Sequence, residues 1–386
     1  MSDQGRKIAD DILIVDDTPA NLRLLSQMLT ELGYTVRAVT NGPHALTSAQ
    51  TTPPNLILLD IRMPDMNGYE VCRRLKQEEK TRDIPVIFIS SLNEIQDKVT
   101  GFSVGGVDYI TKPFQFEEVL ARIETHLSLR RLQKQLQDAN KKFEQELMLA
   151  GSLQASFFPS EPPEIPGWQL SVKLKPARET SGDFYDVYML PNDKLGIIIA
   201  DVVDKGAAAA LYMALSWTII RNYSRDFPDQ PERVLAAANR QIINDTDANR
   251  FVTVFYGVLD PSSGKLIYCN AGHNPPLILR GESAELERLA KTGMLLGMFE
   301  EEAWEQGVAQ LDPGDLLLLY SDGVTEAQGT SGDFFDVDRM IESAKAHIDL
   351  TAKEIKEGIL SDIYEFMGDI PQIDDIALVV VRREPE

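Results

Sequence analysis

Short β-rich runs that are each closed by a polar residue constrain the fold of this chain most. Four runs share the pattern: Ile12 to Val15 before Asp16 and Asp17, Leu56 to Leu59 before Asp60, Val86 to Ile89 before Ser90, and Asp108 to Thr111 before Lys112. Such runs are typical of parallel strands covered by helices on both faces. Thr18 followed by Pro19 marks the start of a helix. Because ligands bind at the carboxyl ends of such strands, we expect these polar residues to meet in one crevice.

The residue types in this crevice suit phosphoryl chemistry. Carboxylates such as Asp17 and Asp60 are hard oxygen ligands of the kind that Mg²⁺ prefers. A carboxylate can also accept a phosphoryl group, and Asp60 is the best placed to do so. Lys112 and Ser90 would supply a positive charge and a hydroxyl donor to the phosphoryl oxygens. Any one Asp at a strand end could simply cap a helix, but this explains the whole set poorly.

The segments DDTPAN, LLDIRMPDMNGYE and DYITKPF resemble the receiver domain of two-component response regulators, over about residues 10 to 128. This resemblance implies a flavodoxin-like, doubly wound fold in which a sensor histidine kinase phosphorylates Asp60. It further implies that Asp16, Asp17 and the carbonyl of Arg62 hold Mg²⁺ beside Asp60. Ser90 and Tyr109 would be the switch residues that respond to phosphorylation.

A second set of acidic residues lies beside strand-like runs in the other half of the chain. The motifs are SGDFYD with Asp183 and Asp186, IIIADVVDKG with Asp201 and Asp204, LLLLYSDG with Asp322, and IDDIALVVV with Asp374 and Asp375. Residues so far apart in sequence can meet only if their strands stack. Shared carboxylates of this kind are typical of two-metal sites, which lower the pKa of a bound water and clamp the oxygens of an in-line displacement. The chain has no Gly-x-Ser-x-Gly motif and only four histidines.

Together with AGHNPP and DPGDLLLLYSDGVTEA, these motifs resemble the SpoIIE/RsbU-type branch of metal-dependent (PPM-type) protein serine/threonine phosphatases, from about Trp168 to Arg383. The resemblance implies an α/β/β/α sandwich with two Mn²⁺ or Mg²⁺ ions between its sheets. Carried over by motif, the catalytic metal ligands are Asp183, Asp201, the carbonyl of Val202, Asp322 and Asp374, with Asp186 and Asp375 nearby. Asp beside Gly also marks ordinary turns, which accounts for single residues better than for the set.

Two positions depart from the family pattern. Asp204 stands where the family usually has Gly, so we expect this turn to avoid a positive φ. Its charge would either strengthen metal binding or repel a phosphate. Ser181 replaces a more frequent Gly, which is a mild change. Nearby, Arg178 is a candidate contact for substrate phosphate or a surface salt bridge, and His273 is interpreted as a turn-stabilising residue in preference to a general acid.

Between the two halves, apolar residues follow an alternating three-and-four spacing that is interrupted at Glu146. They are Leu129, Leu132, Leu136, Ala139, Phe143, Ala150, Leu153 and Phe157. The spacing predicts a helix that continues from the receiver and forms a coiled-coil homodimer, although packing against one of its own domains is the alternative. Pro159 would end it. We therefore predict an α/β multidomain chain: receiver 1–128, helical linker 129–163, phosphatase 164–386.

Composition narrows the possible partners. The net charge of −22 and the lack of a basic stripe argue against nucleic-acid binding. Cys72 and Cys269 are lone cysteines without a disulfide or metal spacing. Without a signal peptide or an 18-residue apolar stretch, we expect a cytoplasmic protein that does not enter a membrane.

The expected function joins the two halves. Phosphorylation of Asp60 would alter the receiver face around Ser90 and Tyr109, and the linker helix would transmit that change. The resemblance implies a phosphorylated anti-sigma-factor antagonist as the substrate. Two alternative functions belong to other classes of protein. A phosphorylation-gated adaptor would have lost catalysis, and a DNA-binding output would require a basic helix-turn-helix, which the sequence lacks.

Overall fold

The computed structural model describes residues 10–91, 95–113, 115–158, 161–246, 250–281 and 285–385. The chain forms two compact units, Met1–Lys141 and Lys142–Glu386. Residues 1–9, a largely polar stretch of the sequence, lie outside the described residues.

The first unit contains one parallel sheet, with the strand order β2-β1-β3-β4-β5. Its strands are β1 Asp11–Val15, β2 Thr35–Val39, β3 Leu56–Asp60, β4 Val86–Ser90 and β5 Asp108–Thr111. All four β-rich runs in the sequence are therefore strands, and this order is that of the flavodoxin-like doubly wound fold. The predicted fold of this half is confirmed.

Helices cover both faces of this sheet because successive residues of its central strands point to opposite faces and are apolar on both. The helices are α1 Pro19–Glu31, α2 Gly42–Thr51, α3 Gly68–Gln77, α4 Ile95–Ser103 and α5 Phe116–Ala155. In β1, Leu13 and Val15 join one buried cluster, and Ile12 and Ile14 join the other. Helix α1 begins at the predicted Thr18–Pro19 step, although the Thr18 side chain makes no capping hydrogen bond.

Helix α5 is a single element of 40 residues that starts in the first unit and ends in the second. The predicted continuous helix is confirmed. It ends at Ala155, three residues before the predicted end at Phe158, and Pro159 lies outside the described residues. Along the predicted stripe the side chains of Leu132, Leu136 and Phe143 are about 60% or more exposed.

The second unit contains two antiparallel sheets with the orders β13-β10-β9-β8-β7 and β12-β11-β14-β15-β6. The strands are β6 Trp168–Lys175, β7 Phe184–Met189, β8 Leu195–Val202, β9 Val252–Asp260, β10 Lys265–Ala271, β11 Leu277–Leu279, β12 Leu286–Arg288, β13 Gly307–Gln310, β14 Leu316–Tyr320 and β15 Ile376–Arg383. The helices are α6 Ala207–Asp226, α7 Pro231–Asp245, α8 Asp322–Thr325, α9 Asp336–Ala346 and α10 Ala352–Met367, and a 3₁₀ turn spans Pro191–Asp193.

The two sheets stack face to face, with a helix pair outside each. Ile197, Ile199 and Phe255 of the first sheet pack with Leu317 and Val379 of the second in one buried cluster. Side chains on the opposite face of β8 pack against α6 and α7, and the outer face of β14 and β15 packs against α9 and α10. The period-two alternation of these strands thus builds the predicted α/β/β/α sandwich.

Cys72 and Cys269 are both buried and free. Within the described ranges, no helix combines the length and the apolar character that a bilayer crossing requires.

Candidate functional site

The polar strand ends of the first unit meet in one crevice, as the sequence predicts. Asp16 follows β1, Asp60 ends the neighbouring β3, and Lys112 follows β5. The Lys112 ammonium bridges the two acids, with Nζ 2.8 Å from Asp16 Oδ2 and 2.8 Å from Asp60 Oδ2. A positive charge thus lies directly against the carboxylate that we predict to accept a phosphoryl group.

Three carboxylates of this crevice are grouped tightly enough to hold a cation. Each of Asp16, Asp17 and Asp60 offers an oxygen that lies within 4.8 Å of the others. Asp16 is held in place by the backbone N–H of Thr18, at 2.8 Å, and by the amide of Asn21, at 3.0 Å. Asp17 is exposed. An oxygen-only cluster open to water on one side fits Mg²⁺, which keeps several waters when bound.

Burial and charge oppose each other at Asp60. Burial raises the pKa of Asp60, and the hydrogen bond and charge of Lys112 reduce that rise. Burial alone would lower the pKa of Lys112, but its hydrogen bonds to Asp16 and Asp60 outweigh this effect and raise the pKa. Lys112 therefore stays charged at neutral pH.

The other three residues predicted for this crevice lie near Asp60 in sequence or on the two strands that follow in the sheet. The backbone N–H of Arg62 is 3.3 Å from Asp60 Oδ1, which places the Arg62 main chain beside the acidic cluster. Ser90 ends β4, next to β3 in the sheet, and is fully buried. Tyr109 lies in β5 with its side chain largely buried.

The second group of acids gathers where strands of both sheets end. Asp183 directly precedes β7, and Asp201 lies near the end of the neighbouring β8. Asp322 follows β14 and begins α8, while Asp374 precedes β15. The carbonyl-bearing Val202 is the last residue of β8. The four predicted carboxylate ligands thus come from two sheets that stack on each other.

Burial and the charges of neighbouring acids both raise the pKa values of these carboxylates. Burial raises the pKa of Asp183 well above its ordinary value, and Asp201 adds to the rise. Burial also raises the pKa of Asp201, with a further contribution from Asp374. For Asp322, burial together with Asp201 and Asp374 raises the pKa to about 6. Like charges that are buried or partly buried beside one another favour bound protons or cations at neutral pH.

The donor set fits a divalent metal. Asp183 Oδ2 is buried and has no hydrogen-bond partner among the described residues, so this oxygen is available to bind a metal ion. In the described part of the chain these acids do not form a group as compact as the one around Asp60. A wider spread is expected for ligands of two ions, because metals in such sites lie about 3.5–4 Å apart.

Asp375 and Asp186, the two acids beside the predicted ligands in sequence, make different contacts. Asp375 accepts hydrogen bonds from Ala177 N at 2.7 Å, Ser181 Oγ at 2.8 Å and Gly182 N at 2.9 Å, so it organises the loop before Asp183. Asp186 points to the other face of β7, where it bonds Trp217 Nε1 at 2.9 Å and Arg221 Nη1 at 2.6 Å. Asp186 is therefore near the predicted metal ligands in sequence but points away from them in space.

The expectation for Asp204 was wrong, because the turn does adopt a positive φ there. Asp204 has φ 102°, a region that side chains rarely occupy. Its Oδ1 accepts a hydrogen bond from Lys205 N at 2.9 Å, and its Oδ2 lies 3.3 Å from Arg250 Nε. These contacts hold an acidic side chain in a backbone conformation that suits glycine. Asp204 therefore points toward an arginine.

His273 fits the more conservative interpretation of its role. His273 is buried, its Nδ1 lies 2.9 Å from Thr253 Oγ1, and burial lowers its pKa to about 3. It is neutral at pH 7, so no imidazolium is available as a general acid. Arg178 is exposed, and its charge limits the rise in the pKa of Lys205 that the hydrogen bond to Asp374 causes, so Arg178 lies near the acidic cluster.

Sequence reasoning missed two residues of this site. Ser321 donates to the Asp375 carbonyl at 3.1 Å and accepts from Ala377 N at 2.9 Å, which ties the ends of β14 and β15 together. Its place in the SerAspGly motif beside Asp322 was an available signal. Lys205 Nζ bonds Asp374 Oδ2 at 2.7 Å, and nothing in the sequence pairs these residues.

Comparisons with known proteins support the family predicted for each half of the chain. The family model described as response regulator receiver domain matches residues 12–124. The family model described as Stage II sporulation protein E (SpoIIE) matches residues 191–384, half of the chain. Asp201, Asp322 and Asp374 lie inside this match, and Asp183 lies before it.

Individual relatives match different fractions of this chain and of their own length. Protein IcfG of Synechocystis sp. is 33% identical over 264 residues, which is 62% of this chain and 41% of IcfG. Phosphoserine phosphatase RsbU of Bacillus subtilis is 27% identical over 266 residues, 68% of this chain and 75% of RsbU. This chain thus spans less than half of the length of IcfG.

Among solved structures, the SiaA-PP2C domain of Pseudomonas aeruginosa superimposes with a TM-score of 0.57 at 21% identity. The match covers 63% of this chain and 98% of that one, and at this identity it speaks for the fold alone. With its fold, its strand-end carboxylates and both family models in agreement, the chain belongs to the SpoIIE family and carries an N-terminal response regulator receiver domain.

Proposed function

We propose that this chain is a response regulator in which phosphorylation of Asp60 controls a metal-dependent protein serine/threonine phosphatase. The main support for a phosphatase is Asp183 Oδ2, which is buried and has no hydrogen-bond partner among the described residues. It lies among acids whose pKa values are raised by burial and by one another's charge. Membership of the SpoIIE family supports this assignment.

In the receiver, Asp60 would accept a phosphoryl group from a sensor histidine kinase. Asp16, Asp17 and the Arg62 carbonyl would hold Mg²⁺ beside it, a role that the compact carboxylate cluster supports. Lys112 would then pair with the phosphoryl oxygens, since its ammonium already contacts Asp60. Ser90 and Tyr109 would respond on the same face of the sheet, where β4 and β5 are neighbours.

In the second unit, Asp183, Asp201, the Val202 carbonyl, Asp322 and Asp374 would hold two Mn²⁺ or Mg²⁺ ions. Such ions lower the pKa of a water and neutralise charge on a phosphoryl group in transfer. Asp375 and Ser321 keep the ligand-bearing loops in register through their backbone hydrogen bonds. Lys205 and Arg178 supply positive charge at the mouth of the site, where a phosphate would enter.

The substrate that we propose is a phosphoserine or phosphothreonine protein. RsbU is named a phosphoserine phosphatase, and the resemblance to its branch suggests a phosphorylated anti-sigma-factor antagonist. Dephosphorylation would let that antagonist sequester an anti-sigma factor. We further propose that the chain acts as a homodimer through the apolar stripe of α5, whose side chains are exposed.

Manganese-dependent hydrolysis of a phosphoserine protein tests the catalytic half. Asp322→Ala should lower kcat at least about a hundredfold, because it removes one of few metal ligands. Asp312→Ala is the matched control, since Asp312 is exposed in the same unit and should leave kcat unchanged. Equal rates for wild type and Asp322→Ala would contradict the proposal.

One observation favours the adaptor alternative. The Lys205 ammonium bonds the Asp374 carboxylate, so this predicted ligand already has a protein partner. Asp204 in the same loop adopts a positive φ that is strained for a residue with a side chain. A folded wild-type chain that shows no turnover above Asp322→Ala, with and without a phosphodonor, would support an adaptor.

A further inference from the structure

The last turns of α5 pack directly against the loop that carries Asp183. Gln154 is 6% exposed, and both polar atoms of its side-chain amide engage the backbone of Ser181. Its Nε2 donates to the Ser181 carbonyl at 2.6 Å, and its Oε1 accepts from Ser181 N at 2.9 Å. This pair of hydrogen bonds fixes the main chain two residues before Asp183.

One turn earlier on the same helix face, Gly151 approaches the same loop. A Cβ at this position would lie 1.9 Å from the carbonyl oxygen of Glu179, so only glycine fits. Glycine inside a helix is less favourable than alanine. The close approach of two backbones accounts for its presence here.

The loop held by this helix face connects to the ligand-bearing end of β15. Ser181 Oγ and Gly182 N both donate to Asp375 Oδ2, at 2.8 Å and 2.9 Å. Asp375 is adjacent to Asp374 in sequence. A displacement of the helix end would therefore disturb the backbone on both sides of the acidic cluster.

We propose that Gln154 and Gly151 are positioning residues whose contacts with the Glu179–Ser181 backbone set the metal affinity of the acidic cluster around Asp183. The two residues touch no ligand themselves. They hold the main chain from which Asp183 projects, so the position of the α5 end determines whether that carboxylate meets the others. This inference rests on the proposed metal-dependent function and adds the element that regulates it.

Calorimetric titration of Mn²⁺ into the full-length chain tests the inference without an activity assay. Gln154→Ala and Gly151→Ala should each weaken Mn²⁺ binding at this cluster about tenfold or more, the usual effect of losing a group that orients a ligand. Gln145→Ala is the matched control, because Gln145 is exposed on the same helix, and it should bind as wild type does. Titration of Asp322→Ala identifies the signal that belongs to the receiver crevice.

Gly151→Ala separates positioning from mere helix stability. Alanine raises helix propensity, so a residue that only supported the helix would leave the affinity unchanged and raise Tm. Wild-type affinity in folded Gln154→Ala and Gly151→Ala would overturn the inference, even for an active phosphatase. Weakened binding in both variants, with no hydrolysis by wild type, would support the positioning role and reject the proposed activity.

Discussion

Lys205 Nζ lies 2.7 Å from Asp374 Oδ2, so a carboxylate proposed as a metal ligand is also the partner of a lysine. The two side chains are 43% and 34% exposed. An ion pair with this exposure contributes at most about 1 kcal/mol. A metal that binds Asp374 must therefore displace only a weak competitor.

Removal of this competitor should strengthen metal binding. We expect Lys205→Met to tighten Mn²⁺ binding in the second unit by about two- to fivefold, the factor that corresponds to roughly 0.4–1 kcal/mol. Calorimetry without substrate measures it. Lys345→Met removes the same charge from an exposed position of α9 and should have no effect. Weaker binding by Lys205→Met would show that the lysine supports the metal.

The strained backbone of Asp204 should be visible in stability. Asp204→Gly and Asp204→Ala both lose the contacts with Lys205 N and Arg250, but only glycine accepts φ 102° without strain. We expect Asp204→Gly to melt at least about 2 °C above Asp204→Ala. Differential scanning calorimetry compares the two variants, and equal Tm values would mean that the turn relaxes.

The raised pKa of Asp322 predicts a pH dependence in the metal-free protein. Burial, with Asp201 and Asp374, raises this pKa from 3.8 to about 6. Between these pH values the folded state keeps a proton that the unfolded state has released, so this carboxyl costs stability as pH rises through the window. In EDTA, Asp322→Asn should melt above wild type at pH 7.5 and lose that advantage below pH 4.

Thermal unfolding of wild type, Asp322→Asn and the exposed control Asp312→Asn at several pH values checks this prediction. The control should follow wild type throughout. A Tm difference that stays constant from pH 7.5 to pH 4 would disagree with a raised pKa for Asp322.

The apolar stripe of α5 predicts self-association. Leu136→Glu places a charge in the middle of this stripe, where the native side chain is 62% exposed, and should weaken a dimer at least about tenfold. Sedimentation equilibrium measures the dissociation constant. Gln137→Glu adds the same charge beside the stripe and should retain the dimer. A wild-type chain that is monomeric at high concentration would contradict the proposed homodimer.

The strands could be predicted from sequence wherever both faces are buried. Runs such as Leu56 to Leu59 and Leu316 to Tyr320 are apolar throughout because helices or a second sheet cover each face. Strand β2, Thr35–Val39, lies at the edge of its sheet and is only partly buried, so its sequence carries a weaker signal.

The parts of the site that sequence reasoning missed depend on register and on long-range backbone contacts. Asp186 resembles a metal neighbour in sequence, but the alternation of β7 turns it toward Arg221. Gln154 bonds a backbone 27 residues away, and a hydrogen bond to main chain leaves no residue pattern at its partner. Asp204 adopts its positive φ together with a contact to Arg250, which is 46 residues away in sequence.

The central claim is that the phosphorylation state of Asp60 controls the phosphatase. The most direct measurement compares Mn²⁺-dependent hydrolysis of a phosphoserine protein, with and without acetyl phosphate, in wild type, Asp60→Ala and Asp83→Ala. Asp83 is an exposed acid of the same unit and serves as the control.

We predict that acetyl phosphate changes the rate of wild type and Asp83→Ala, and leaves Asp60→Ala at its unchanged basal rate. A response to acetyl phosphate that persists in Asp60→Ala, or is missing in an active wild-type enzyme, would contradict the proposed control.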